Sequence, residues 1–284
     1  MKILVITNPF ANGGRSLQVL RKVEAFLAAH TFQWDKIQTP ETRDLPVPAW
    51  GNYSRVVLVG GDGSLHRLLN YWGIPPLPLC LISGGSGNDF SRLSHQSASL
   101  DLQLSHLLEG QSYPSDLGLC NGVLFATGVG IGFDGKVAEI LQKNARWKSH
   151  FAYLVVVILQ LFRYREKPVR VEMDGVVKEG LSLLFTVGNG SEFGGGFKVT
   201  PQASFRDGIF QCCWIGRITL LQRILHLSKI EKGTHTRLPF VSMMDARSIR
   251  LSADETLVCH MDGEVYRWKN FDVSIQEGVL QLIG

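Results

Sequence analysis

Residues 56–64, Val-Val-Leu-Val-Gly-Gly-Asp-Gly-Ser, join a β-branched apolar run to three glycines wrapped around one carboxylate, Asp62. The run predicts a buried parallel strand. Glycines permit positive φ and let a bulky anion come close to backbone amides. A helix predicted over residues 65–72 turns its N-terminal amides and dipole toward the same spot. Strand, glycine turn and helix in that order hold phosphate in α/β proteins, and an acid inside the turn implies a metal ion arriving with the phosphate.

Two further segments repeat the arrangement. Leu79-Cys80-Leu81-Ile82 reads as a strand and leads into Ser83-Gly84-Gly85-Ser86-Gly87-Asn88-Asp89-Phe90. At the start, a strand over residues 1–7 runs into Asn8-Pro9-Phe10-Ala11-Asn12-Gly13-Gly14-Arg15 ahead of an amphipathic helix over 16–29. A single turn of this kind could simply connect a strand to a helix. Three in succession point to a nucleotide-phosphate site, because ligands of open α/β sheets sit beyond the carboxyl ends of the strands.

The positioning elements divide the chain. Alternating strand and helix patterns predict a doubly wound α/β nucleotide-binding domain over residues 1–115, with 39–50 as a Pro-rich, charged loop. From 116 to 284 short strand-like runs separated by glycine turns predict a mostly antiparallel β-sandwich domain, with the last few residues free to return to the first domain. Asp174-Gly175 between apolar runs is a hairpin signal. Helical stretches are expected near 135–164 and 220–233.

Composition limits the function classes. The 284 residues are 45% hydrophobic and 19% charged, enough for real cores and too apolar for a disordered chain. A net charge of +4 suits phosphates and acidic lipid headgroups, yet no basic run is dense enough for nucleic acid. Cys80, Cys120, Cys212, Cys213 and Cys259 form no CxxC pair and read as buried thiols of a cytoplasmic protein. The five residues between Lys2 and Asn8 are too short for the apolar core of a secretory leader. Residues 151–162 are apolar for about a dozen positions where a membrane span needs ~20. They read as a packed helix whose flanking cations, Lys143, Arg146, Lys148, Arg163, Arg165 and Lys167, leave transient peripheral membrane contact open.

The second half carries three polar constellations. Gly188-Asn189-Gly190-Ser191-Glu192-Phe193-Gly194-Gly195-Gly196 is glycine-dense beyond the needs of a turn, which predicts close approach by a backbone or ligand. In Pro201-Gln202-Ala203-Ser204-Phe205-Arg206-Asp207-Gly208-Ile209, Asp207 could hold a hard divalent cation together with backbone carbonyls, or serve only as a turn-forming Asp-Gly. Cys259-His260-Met261-Asp262-Gly263-Glu264 places two acids at i and i+2. A strand there would aim both at one face, as suits a general base and its partner, whereas a hairpin tip would leave them as solvated charges.

In order along the chain, Asn8-Pro9, Gly60-Gly61-Asp62-Gly63-Ser64, Gly85-Ser86-Gly87-Asn88-Asp89, Gly130-Ile131-Gly132-Phe133-Asp134, Gly194-Gly195-Gly196, Pro201 through Asp207-Gly208, and Asp262-Gly263-Glu264 resemble the diacylglycerol kinase catalytic-domain family, which includes bacterial lipid kinases and sphingosine kinases. The resemblance implies ATP as co-substrate, Mg²⁺, and phosphorylation of a lipid hydroxyl. It implies nucleotide contacts from Asn8, Thr39, Gly60, Gly61, Asp62, Gly63, Ser64, Leu65, His66, Ser86, Asn88 and Asp89. It assigns the base role to Asp262 or Glu264 without choosing between them, a structural magnesium loop to Ser204, Asp207 and Ile209, and membership of an acidic network to Asp62, Asp89 and Asp116. A homodimer is left open.

The sequence departs from the family pattern at several points. Ser64 and Ser86 stand where threonine is usual, Ser83 replaces a proline, and Thr127 replaces a common asparagine. His66-Arg67 stands in place of Asn-Glu, which reverses a charge beside the phosphates. Two other readings share some of these features: an NAD kinase, and a nucleotide-binding regulator without catalysis.

Overall fold

The computed structural model describes residues 2–9, 11–39, 46–85, 87–94, 99–144, 150–192, 194 and 196–284; the side chains of Asn12 and residues 150–153 are not among the described ones. The chain forms two compact units, one of Met1–Asp116 with Glu277–Gly284, the other of Leu117–Gln276.

The first unit is a parallel sheet. Strand β1 (Lys2–Thr7) leads to helix α1 (Arg15–Ala29) and β2 (Gln33–Gln38). Then follow β3 (Arg55–Gly60), α2 (Asp62–Tyr71), β4 (Leu79–Ser83), α3 (Asp89–Ser94) and α4 (Leu100–Glu109). β1 pairs in parallel with β2 on one side and β3 on the other, and β4 pairs with β3. Alternate residues serve opposite faces. Ile3, Val5, Val57, Val59, Cys80 and Ile82 pack under Leu20, Val23 and Leu27 of α1 and Leu104 and Leu107 of α4. Leu58 and Leu81 point the other way, toward Leu65 of α2 and Phe90 of α3. Val56–Val59 are therefore buried on both faces, as a central parallel strand requires. The order β4-β3-β1-β2 reverses direction between β1 and β3, the switch point of a doubly wound sheet.

Helix α2 begins three residues earlier than the apolar pattern predicts. The Ser64 and Leu65 amides both donate to the Gly61 carbonyl, at 2.9 and 3.1 Å, so Asp62, Gly63 and Ser64 form the first helical turn and not a loop ahead of it.

The second unit is predominantly antiparallel. Its chain begins in β5 (Ser112–Cys120), which starts in the first unit, and continues through β6 (Val123–Phe125), β7 (Gly128–Gly132), α5 (Phe133–Lys143) and α6 (His150–Arg163). Strands β8 (Lys167–Met173), β9 (Val176–Gly188) and β10 (Phe210–Gly216) precede α7 (Leu220–Glu231), and β11 (Val241–Ala246), β12 (Ser248–Met261) and β13 (Glu264–Ile283) complete the order. The expected single helical stretch over 135–164 is two helices, with 145–149 outside the described residues. Asp174 and Gly175, both at positive φ, make the predicted hairpin turn between β8 and β9. One apolar core gathers Phe125, Phe185, Phe210, Trp214 and Phe271, and another packs α5 and α6 over Leu183, Cys213 and Ile215. All five cysteines are buried and free.

Helix α5 lies almost against the backbone of β12. A Cβ on Gly135 would stand 2.2 Å from the Val258 carbonyl oxygen, so only glycine fits there. Further along, Glu139, with a side chain only 7% exposed, pairs with Lys136 at 2.7 Å, Lys143 at 2.9 Å and Arg267 of β13. Lys136, then Lys143 and Arg267, hold its carboxyl at about 2 against the opposing effect of burial. A depressed carboxylate stabilises the fold above its unfolded pKa, and that contribution is lost as pH falls through the folded value. The stability from Glu139 should therefore disappear between pH ~4.3 and pH 2. Thermal unfolding across this window should fall less steeply for Glu139→Gln than for wild type; parallel curves would refute the assignment.

Candidate active site

The loops of the first unit leave the carboxyl ends of β1, β3 and β4 and meet at the switch point. The Gly84 amide donates to the Gly60 carbonyl at 2.7 Å. A Cβ on Gly84 would lie 3.3 Å from the Gly60 nitrogen and 3.5 Å from Cα of Ser16, at the start of α1. A Cβ on Gly61 would lie 2.8 Å from Cα of Gly85, and one on Gly85 only 2.5 Å from Cα of Gly61. Neither glycine tolerates a side chain, because backbone faces backbone.

Each loop is tied by its own polar groups. Asn88, at φ 55°, closes the β4 loop on itself: its Oδ1 accepts from the Gly85 amide at 2.8 Å and its Nδ2 donates to the Gly85 carbonyl at 3.0 Å. The Asp62 carboxylate accepts the Asp89 amide at 3.0 Å on Oδ2 and the Phe90 amide at 2.9 Å on Oδ1, capping α3. Asp89, nearly buried, pairs with Arg92, whose other nitrogen donates to the Gly87 carbonyl. Asp62 and Asp89 flank Gly87, their Oδ2 atoms 3.0 and 3.9 Å from the place of its Cβ. Among the described residues the Gly63 amide at the N-terminus of α2 has no acceptor, which leaves a donor for an anion.

Asn8 follows β1, and its carbonyl accepts from the Ser16 hydroxyl at 2.7 Å. Thr39 follows β2 and donates twice to the Thr7 carbonyl, from its amide at 2.8 Å and its hydroxyl at 3.3 Å. Ser64, Leu65 and His66 are buried on α2, with Leu65 lining a small pocket beside Asp62 and Ser91. Ser86 lies outside the described residues. Asp116 is buried, and its Oδ1 accepts the Gly278 amide at 2.7 Å. Sequence reading missed Ser16, which fastens the first loop, and Thr7, whose buried hydroxyl has no partner among the described residues. Serine or threonine next to a glycine-rich turn was the available signal.

In the second unit Asp262 and Gly263 form the two-residue tip of the β12–β13 hairpin, with φ of 50° and 90° and Met261 opposite Glu264. The strand geometry that would aim both acids at one face does not occur. The Asp262 carboxylate instead accepts the amides of Ala126 and Thr127, each at 2.8 Å, and of Gly128 at 3.3 Å. Asn189 braces the same turn through the Ala126 carbonyl at 2.7 Å. Glu264 is partly exposed and its Oε2 accepts from Gln142 of α5 at 3.2 Å.

Next to the hairpin, Gly130 leaves room for His260 and Asp134: its Cβ would stand 2.5 Å from His260 Nε2 and 2.7 Å from Asp134 Cβ. Thr186 donates to Asp134 at 2.9 Å. Burial pushes the Asp134 carboxyl upward, against the opposing effects of His260 and the Thr186 hydroxyl.

The loop holding Ser204, Asp207 and Ile209 presents an exposed Asp207 carboxylate, which accepts the Ile209 amide at 3.2 Å. With two carbonyls this is an all-oxygen donor set, which fits a hard divalent cation. Among the described residues no three His, Cys, Asp or Glu side chains cluster to hold a metal. Of the Gly194-Gly195-Gly196 run, Gly195 lies outside the described residues, and Gly194 and Gly196 are at positive φ.

The diacylglycerol kinase catalytic domain matches residues 2–120, and the YegS C-terminal NAD kinase beta sandwich-like domain matches residues 127–284. The chain belongs to the diacylglycerol kinase family of bacterial lipid kinases. Diacylglycerol kinases of Staphylococcus carnosus and Staphylococcus aureus are 28% and 29% identical over 221 residues, covering 75% of this chain and 71% and 69% of theirs. A crystal structure of a diacylglycerol kinase from Bacillus anthracis superposes with a TM-score of 0.80 over 99% of this chain and 96% of that one; at 24% identity it speaks to the fold. The protein is thus a lipid kinase with the family's mixed α/β and β-rich architecture, and the kinase family implies ATP as phosphate donor.

The two aspartates offer a direct check on these hydrogen bonds. Asp62→Ala strips two amides of α3 of their acceptor and should lower stability by about 1–2 kcal/mol in urea denaturation. Asp262→Asn keeps one carbonyl oxygen but turns an NH₂ group toward amide donors, and should cost about 2 kcal/mol. Glu264→Gln should stay within about 0.5 kcal/mol of wild type. Equal stability of all three would refute the anchoring roles.

Proposed function

We propose that the protein transfers the γ-phosphate of ATP to a hydroxyl of a membrane lipid of the diacylglycerol class. What supports the reading is the convergence of three glycine-bearing loops at the carboxyl end of the parallel sheet, with two glycines held Cα against backbone at its switch point. Crowding of that kind bares amides to a triphosphate. In this reading Gly60, Gly61, Gly63 and Ser64, with Asn88 and Ser86, cradle the phosphates, and Asn8 and Thr39 border the nucleotide. Asp89 and Asp62 keep the second loop in shape. Phosphoryl transfer asks a protein for positioning and charge neutralisation more than for covalent chemistry.

Glu264 is our choice for the base. The Asp262 carboxylate accepts three backbone amides, and it could not take a proton without loosening the Ala126–Gly128 turn. Glu264 is partly exposed and is oriented by the neutral amide of Gln142. It takes the proton of the acceptor hydroxyl as the hydroxyl oxygen bonds to phosphorus and ADP leaves. Magnesium, when bound, offsets phosphate charge, and a second ion at Ser204, Asp207 and Ile209 would brace that loop. Because the acceptor resides in a bilayer, contact with a membrane surface belongs to the reading.

Radiolabelled ATP offered with diacylglycerol vesicles should yield labelled phosphatidic acid, and Glu264→Gln should lower kcat by about 10²–10⁴ with its thermal unfolding unchanged. Label entering NAD and not lipid would replace this reading with the NAD kinase that the C-terminal domain's description names. ATP binding without transfer to any lipid of a broad panel would leave a regulator.

A further inference from the structure

Helix α7 inverts the usual pattern of a surface helix. Leu220, Leu221, Ile224 and Leu225 are 42–65% exposed, at the i, i+1, i+4, i+5 spacing of one outward stripe. Arg223, a residue that ordinarily seeks water, is buried on the same helix. The neighbouring α6 repeats the pattern: Ile158, Leu159 and Phe162 are 41–58% exposed, while Val156, Val157 and Leu161 fill the core beneath. Arg223 explains how the two helices stay together. It donates to the carbonyls of Leu161 and Tyr164 at 2.7 and 2.8 Å and pairs with Glu166 at 2.7 Å, capping the C-terminus of α6 from α7.

The exposed charges along the stripes are cationic, with Glu166 taken up by Arg223. Arg163, Arg165, Arg217 and Lys229 are exposed, and residues 154–165 and 217–229 contain no Asp or Glu. An apolar helical face with a cationic border matches an interfacial surface on anionic lipid. Contact between two copies through this face would set like-charged borders against each other, which anionic headgroups would instead neutralise. No helix among the described residues is long and apolar enough to cross a membrane, so the contact is peripheral.

We propose that the outward face of α6 and α7 docks on an anionic bilayer, with the leucine, isoleucine and phenylalanine side chains at the headgroup–acyl boundary and the four cations against lipid phosphates. The inference rests on the lipid acceptor of the reading above and names the surface by which the enzyme meets it.

Vesicle flotation of the full chain without ATP tests the surface apart from the reaction. Wild type should float with phosphatidylglycerol–phosphatidylcholine vesicles, more weakly with phosphatidylcholine alone and more weakly at high salt. L221Q/L225Q should lower flotation about tenfold, and R163Q/R165Q should lower it on the anionic vesicles only. V176Q, at the exposed start of β9, should leave flotation unchanged. Equal flotation of wild type and both double variants would overturn the proposal, as would absence of wild-type binding to anionic vesicles. A change from dimer to monomer in L221Q/L225Q with flotation unaltered would overturn it in favour of a second copy. Flotation as expected without lipid phosphorylation would support the surface and count against the reaction.

Discussion

The close approach of Gly60–Gly61 to Gly84–Gly85 constrains everything around the candidate nucleotide site. Backbone meets backbone there at distances that exclude a Cβ, so the two loops are bound to each other by the absence of side chains as much as by the Gly84–Gly60 hydrogen bond. β3 ends in glycine for a second reason: a Cβ on Gly60 would stand 2.4 Å from Ser64 Oγ in the first turn of α2. With the two loops this close, Asp62 reaches the next one and caps α3. A parallel sheet supplies the frame, because its strands deliver all these loops to one edge.

Aspartates in the two units perform the same physical task. Asp62 accepts two amides of α3, and Asp262 accepts three of the Ala126–Gly128 turn. In each case a carboxylate organises backbone that has no partner in helix or sheet. Carboxylates in glycine motifs invite a reading as metal ligands or bases. Here each carboxylate accepts backbone amides, and scaffolding is the task its hydrogen bonds show.

Much of the first unit was legible because β-branched runs followed by glycine turns have few alternative meanings, as at 56–64. The mixed α/β fold class could be read for the same reason. Other elements left no such trace. β7, Gly128–Gly132, holds three glycines and has poor strand propensity; it exists because His260, Asp134 and the backbone of β12 crowd it. β2 and β11 lack a clean alternation of apolar and polar residues. The Asp262–Gly263 tip carries the same dipeptide that marked the hairpin at Asp174–Gly175, and a hairpin tip was one of the two readings open there; that its carboxylate is bound by three amides was not legible. Partners of carboxylates were illegible throughout, since Asp62 bonds to residues 27 and 28 positions away and Asp262 to residues about 135 away.

Residues 277–284 belong to the first unit, where Leu282 pairs with Leu79 of β4 and the Gly278 amide rests on Asp116. The second unit is contiguous, from Leu117 to Gln276. On a ribosome the unit begun first is therefore completed last. Its parallel sheet waits, one strand short at β4, through the synthesis of 160 intervening residues, counted from 117 to 276. An unpaired, apolar strand edge kept open that long is a place where a nascent chain can associate wrongly, a hazard that follows from how this chain is threaded.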